Sequence, residues 1–242
     1  MTNAMSKKSL MILLVGVALA IGAVQIMHRP DRAFGPDIHT KTVAMGNGQR
    51  LHVQTREVTV AQWQACHGAG QCTLELKAHD KDVDYPATGL SYPDTMEYLY
   101  WINANSDTAW RLPTADEWTE LAQEVMPQQA DPIFTDPSLT WASAYLMEAN
   151  ATGRALRPSG AFSATSAGIE DLDGNVWEWT QDCYAGASGQ GTKTDPARCP
   201  AYIMGGEHEA VMSYLVRDPA RGGCAVGATP AHLGMRMVSD EG

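Results

Sequence analysis

Three groups of residues carry donor atoms at spacings that could do chemistry. Glu207, His208 and Glu209 follow the glycine pair Gly205 and Gly206. They are side chains of the kind that hold iron, copper or zinc when a remote residue such as His232 completes the set. Alternate side chains on a strand point to opposite faces, so Glu207 and Glu209 share a side while His208 faces away. The triplet therefore reads first as polar lining of a surface or cleft and only second as a metal site. Asp171 and Glu178 flank a DGN turn. Calcium takes six to eight hard oxygen ligands, mixing carboxylates with backbone carbonyls on tight turns, and this segment offers such a set. The alternative is that both carboxylates accept hydrogen bonds from nearby backbone amides. The third group is the five cysteines. Cys66 and Cys72 enclose HGAGQ, and Cys183 and Cys199 bracket a second loop rich in glycine and polar residues. Both loops can bring their alpha carbons into bonding range, so two bridges are expected. Cys224 is left over and reads as a buried small hydrophobe, with Arg221 as its one cationic neighbour in sequence. His52, His67 and His79 are scattered without ligand spacing, and no Ser, His, Asp arrangement, phosphate loop or dinucleotide fingerprint is present.

These groups need elements to position them. The alternation TVAMGNGQRLHVQ predicts a hairpin turning at Gly46, Asn47 and Gly48. Thr59 caps a helix over VAQWQAC, and Ser91 with Asp94 opens a second over PDTMEYLYWINAN. There Pro93 suits the first turn, and Met96, Leu99 and Tyr100 share a face. Thr114 and Glu117 form a capping box for a third helix, ADEWTELAQEV. Beyond Pro127 short strands and loops are expected. Trp63, Trp101, Trp118, Trp177 and Trp179 supply large buried areas for a core with few long elements. Arg111 can tie loops together through its planar fork of donors. Gly174 and Asn175 permit the positive backbone angle of a tight turn before the WEW strand.

Composition narrows the partners. Of 242 residues 44% are hydrophobic and 19% charged, and the formal net charge is -11. One substantial core fits this length, and such acidity leaves no electrostatic footprint for a phosphate backbone, which excludes nucleic acid as the main partner. Lys7 and Lys8 precede an apolar run from Ser9 to Met27, close to the roughly 20 residues that span a bilayer as a helix. Ala18 and Ala20 also make a small-x-small cleavage pattern, so residues 1–30 read as a signal anchor or a removed signal peptide. A proline-bearing linker over 31–40 then leads to one domain over 41–242. Either way the domain is placed in the periplasm or outside the cell, anchored in the inner membrane or released, where disulfides persist.

Several segments, in order, resemble the formylglycine-generating enzyme family, also called the sulfatase-modifying factor family. They are EVTVAQWQAC, YPATGLSYPDTMEYLYWIN, RLPTADEWTELA, DLDGNVWEWTQDCY, MGGEH and LGMRMV, between residues 57 and 238. RLPT-x-x-EW followed by D-x-x-GNVWEW and a late G-x-R is a specific combination. The resemblance implies an α+β fold related to C-type lectins, with little regular secondary structure. It also implies a structural calcium held by the Asp171 and Glu178 side chains and the carbonyls of Gly174 and Val176. A second calcium site of the family has no clear match in AYLMEANATGRALRPSG. Members of the family carry two cysteines that bind copper(I) and oxidise a substrate cysteine to formylglycine. Laid on Gly205 and Gly206, those positions become Ala210 and Leu215, which have no donor atoms. The resemblance then implies an accessory, binding or maturation factor for a periplasmic client, as in the branch associated with copper nitrite reductases. Two other readings are an oxidase or oxygenase using a different metal set, and a lectin-like recognition module.

Overall fold

The computed structural model describes residues 38–76, 83–126, 133–139, 142, 155–184, 199–206, 210–218, 224–226 and 232–241. They belong to a unit spanning Pro36–Gly242. The segment Ser9 to Met27 lies outside the described residues. Among the described residues no helix is long and apolar enough to cross a membrane.

Strands β1 (Thr40–Ala44) and β2 (Arg50–Gln54) form the expected hairpin, with Lys41 opposite Val53 and Val43 opposite Leu51. Its turn closes by hydrogen bonds from Met45 N to Gln49 O and from Gly48 N to Met45 O, and Gly48 takes a φ of 86° that a side chain would resist. Helix α1 (Val60–Gly68) starts at Thr59, whose hydroxyl accepts from Gln62 N while Gln62 Oε1 accepts from Thr59 N. Helix α2 (Tyr92–Asn105) and helix α3 (Ala115–Ala122) begin at Ser91 and Thr114 as the sequence predicts. α3 stops at Ala122, short of the expected Val125. On α2, Leu99 is buried, but Met96 and Tyr100 on the same stripe are 45% and 73% exposed. The buried face runs instead through Tyr98, Leu99, Trp101 and Ile102.

After α3 come β3 (Trp177–Cys183), β4 (Ala201–Gly205), β5 (Ala210–Ser213), β6 (Cys224–Val226), β7 (Leu233–Gly234) and β8 (Val238–Asp240). The order β6-β5-β4-β3-β7 makes one sheet, antiparallel except for the β3–β7 pair, and β1-β2-β8 makes another. One core cluster includes Trp63, Tyr98, Trp101, Trp179, Met212 and Met235; a second includes Leu51, Val53, Trp118, Leu121, Ile169 and Val238. The five tryptophans singled out by sequence are all buried. Cys66 is bridged to Cys72 and Cys183 to Cys199, with alpha carbons 5.3 and 5.8 Å apart. Arg111 ties α3 to β8 rather than loop to loop: it forks onto Glu117 at 2.7 Å, reaches Asp240 at 2.6 Å and donates to Leu112 O.

Candidate functional site

Strand β3 presents Glu178 to the interior, opposite Gly205 of β4 and Gly234 of β7. Its carboxylate accepts from Trp118 Nε1 at 2.8 Å, and from the Arg236 guanidinium through Nε at 3.1 Å and Nη2 at 2.9 Å. Arg236 is fully buried. Its remaining donors go to Gln54 O at 3.0 Å, Thr55 O at 2.8 Å and Glu170 O at 2.8 Å, so every N–H of the guanidinium is used. The Arg of the late G-x-R motif thus ties β2, the loop at 170 and β3 together. Glu57 is also fully buried, and among the described residues neither of its oxygens has a hydrogen-bond partner. Burial pushes the Glu57 carboxyl well above the usual carboxylate range; the attraction of Arg236 opposes this and the nearby Glu178 and Asp171 add to it.

The DLDGN segment is held by side-chain oxygens of its first, third and fifth residues. Asp171 Oδ1 accepts from Phe162 N at 2.9 Å, and its other oxygen accepts from Gly160 N. Asp173 accepts from Ser163 N at 3.0 Å and from the Ser163 hydroxyl, and Asn175 Oδ1 accepts from Arg157 N at 3.0 Å. The positive backbone angle falls on Asn175, one of the two positions expected, and not on Gly174; Asp171 takes one as well, both at 65°. Gly174 is needed for another reason: a Cβ there would overlap the Phe162 ring. Val176 is buried.

Glu178 pairs with Arg236 at 2.9 Å, and each Asp171 oxygen accepts from one backbone amide, the arrangement of the alternative reading for that residue. Among the described residues no group of three or more His, Cys, Asp or Glu side chains is arranged to hold a metal ion.

Ala210 and Leu215, which the resemblance lays on the copper pair, differ in their surroundings. Ala210 is fully buried on β5, whereas Leu215 is 62% exposed on the turn that follows. That turn is locked to the start of α2. Tyr92 N donates to Tyr214 O at 3.0 Å, and Arg217 forks onto Asp94 at 2.8 and 2.7 Å. Gly205 and Gly206 serve packing, because a Cβ on either would overlap the indole of Trp118 or Trp177. Glu207, His208, Glu209 and His79 lie outside the described residues. His232 accepts through its backbone carbonyl from Trp177 N at 2.9 Å. His52 Nδ1 contacts Thr42 Oγ1 at 3.0 Å and His67 Nδ1 contacts Cys72 O at 2.8 Å, so both have local partners.

Sequence reasoning did not single out Glu57, Arg236 or Asp173, although EVT, G-x-R and DLDGN are segments it quoted. It also missed an open groove of about 520 Å³ beside α2, lined by Tyr92, Met96, Tyr100, Trp110, Arg111 and Gln181. Exposed thioether and aromatic groups at Met96 and Tyr100 give this face an apolar character.

A family model described as the sulfatase-modifying factor enzyme 1-like domain matches residues 16–241. Two curated relatives are formylglycine-generating enzymes. That of Mycobacterium tuberculosis is 26% identical over 199 residues, 71% of this chain and 64% of its own length. That of Thermomonospora curvata is 26% identical over 202 residues, 74% of this chain and 62% of its own length. The match therefore spans less than two thirds of either relative. Among solved structures, PvdO from Pseudomonas aeruginosa is similar with a TM-score of 0.53 at 13% identity, covering 80% of this chain and 82% of that one. Treponema denticola variable protein 1 has a TM-score of 0.52 at 14% identity, covering 84% and 95%. CarF has a TM-score of 0.51 at 14% identity, covering 86% and 96%. These likenesses speak to a shared mixed helix-and-sheet fold.

Proposed function

This chain belongs to the sulfatase-modifying factor enzyme 1-like domain family, and from that premise we propose that it is an exported, membrane-anchored accessory that binds or matures another periplasmic protein and does not oxidise thiols. The observation that carries the reading is the fate of the copper-pair positions. Two thiolates that share copper(I) must converge on one point. Here one position is a fully buried alanine and the other an exposed leucine on the outside of a turn. The scaffold around them is nonetheless kept, with the WEW strand, the glycine pair and the G-x-R arginine all packed into it.

A protein client is supported by the exposed apolar groups at Met96 and Tyr100 on α2 and at Leu215 on the turn after β5. The two disulfides support an oxidising compartment such as the periplasm. The inner-membrane anchor and a copper nitrite reductase system as client rest on the sequence resemblance, as does a kinship of the fold with C-type lectins. A copper(I) titration of the oxidised full-length chain against a chromophoric chelator tests the reading. It should reveal no high-affinity copper(I) site; a stoichiometric, thiolate-ligated copper(I) ion would overturn it.

A further inference from the structure

The DLDGNVWEW segment carries oxygen donors at alternate positions, Asp171, Asp173 and Asn175, followed by Glu178. Hard oxygens around a glycine turn are the material of a calcium loop. In this fold every one of those side chains is aimed at a donor of the protein itself. Asp171, Asp173 and Asn175 together accept from the backbone N–H groups of Arg157, Gly160, Phe162 and Ser163 and from the Ser163 hydroxyl. Glu178 accepts from Trp118 and from two nitrogens of Arg236. We infer that the segment 157–163 and the Arg236 guanidinium together serve as a built-in cation, closing this turn by internal donors and leaving the domain's stability independent of divalent ions.

The physical case is one of competition for oxygens. An ion entering beside Glu178 would compete with a fully buried guanidinium for a carboxylate that already accepts from Trp118 Nε1 and from Arg236 Nε and Nη2. Breaking a buried pair by removing one partner strands the other charge in a low-dielectric interior, which is strongly destabilising. An ion entering at Asp171 would share its oxygens with the amides of Gly160 and Phe162, which have no carbonyl bond among the described contacts. The donors also come from fixed elements: Arg236 is pinned to three backbone carbonyls as well as to Glu178, so it is preorganised for its place.

Thermal unfolding of the full-length chain in excess EGTA and in millimolar calcium chloride tests the inference. The midpoints should agree to within about 1 °C, whereas a saturated ion site would raise the calcium midpoint by roughly 5 °C or more. Terbium provides the second readout, since Trp118 beside Glu178 would sensitise its emission on binding there. No sensitised emission that calcium can displace is expected. A calcium-dependent midpoint, or displaceable terbium emission lost in Glu178→Gln, would overturn the inference. The charge pair is tested by Arg236→Met, Glu178→Gln and the double variant. The double variant should unfold at a higher temperature than Arg236→Met alone, because it removes the stranded carboxylate. A double variant less stable than both singles would contradict the pairing. Should Arg236→Met fail to fold, the unsubstituted chain in EGTA and calcium decides the matter by itself.

Discussion

At the scale of single residues, the closest constraints are those in which backbone meets an aromatic ring. Gly205 admits the Trp118 indole against the chain, and a methyl group there has no room. Gly205→Ala should cost about 1–3 kcal/mol by forced repacking, read as a lower urea midpoint with unchanged slope; no shift would contradict the packing. Glu57 makes a prediction of the opposite sign. Its carboxyl is raised by burial, so the folded chain keeps a proton that the unfolded chain releases above about pH 4.3. A raised acid takes stability away as pH climbs from the unfolded value toward the folded one. Glu57→Gln should therefore be at least as stable as the parent at pH 7 and should lose that decline, as measured by urea unfolding at pH 5 and pH 8. Destabilisation by more than about 2 kcal/mol at pH 7 would mean that Glu57 works as an anion. Residue types made the tryptophan core and both bridges legible in sequence. Glu57, Arg236 and Asp173 were not legible as a network, because the Arg236 contacts reach Gln54 and Thr55 more than 180 positions away.

At the scale of elements, the helix starts were readable because their chemistry is local. Thr114 and Glu117 satisfy each other's backbone amides within one turn, and so do Thr59 and Gln62. The exposed face of α2 was less readable, since the same apolar periodicity fits a core face and a contact face. Its buried side runs through Tyr98, Leu99, Trp101 and Ile102, and Arg217, beyond β5, ties to Asp94 at its first turn. Burial would raise the Asp94 carboxyl, but the hydrogen bonds from Arg217 and Ser91 outweigh it and hold the group below its ordinary value. A depressed acid adds stability that is present above its unfolded pKa, near 3.9, and is lost as pH falls through the folded value. Asp94→Asn should cost about 1–3 kcal/mol at pH 7 and should flatten the loss of stability below pH 4, measured by urea unfolding at stepped pH. An unchanged acid limb would show that the tie contributes nothing.

At the scale of the whole molecule, two short disulfide loops hold a chain whose regular elements are few and brief. Replacing Cys66 and Cys72 by serine should lower stability by about 2–3 kcal/mol in the chain-entropy picture. Peptide mapping of unreduced protein should find Cys66 with Cys72, Cys183 with Cys199 and Cys224 unbridged; a bridge to Cys224 would contradict that. The mixed helix-and-sheet architecture was legible because capped helices and motif order are written locally. The crossing of β3 between β4 and β7, and the pairing of β2 with β8 at the far end of the chain, depend on contacts that sequence spacing does not encode. Function at this scale turns on whether the family scaffold still performs the family oxidation. The most direct measurement incubates the full-length chain, supplied with copper and oxygen, with a cysteine-containing sulfatase peptide and weighs the peptide by mass spectrometry. With Ala210 buried and Leu215 facing out, the peptide should keep its cysteine sulfur; conversion to the aldehyde at catalytic turnover would contradict the accessory account.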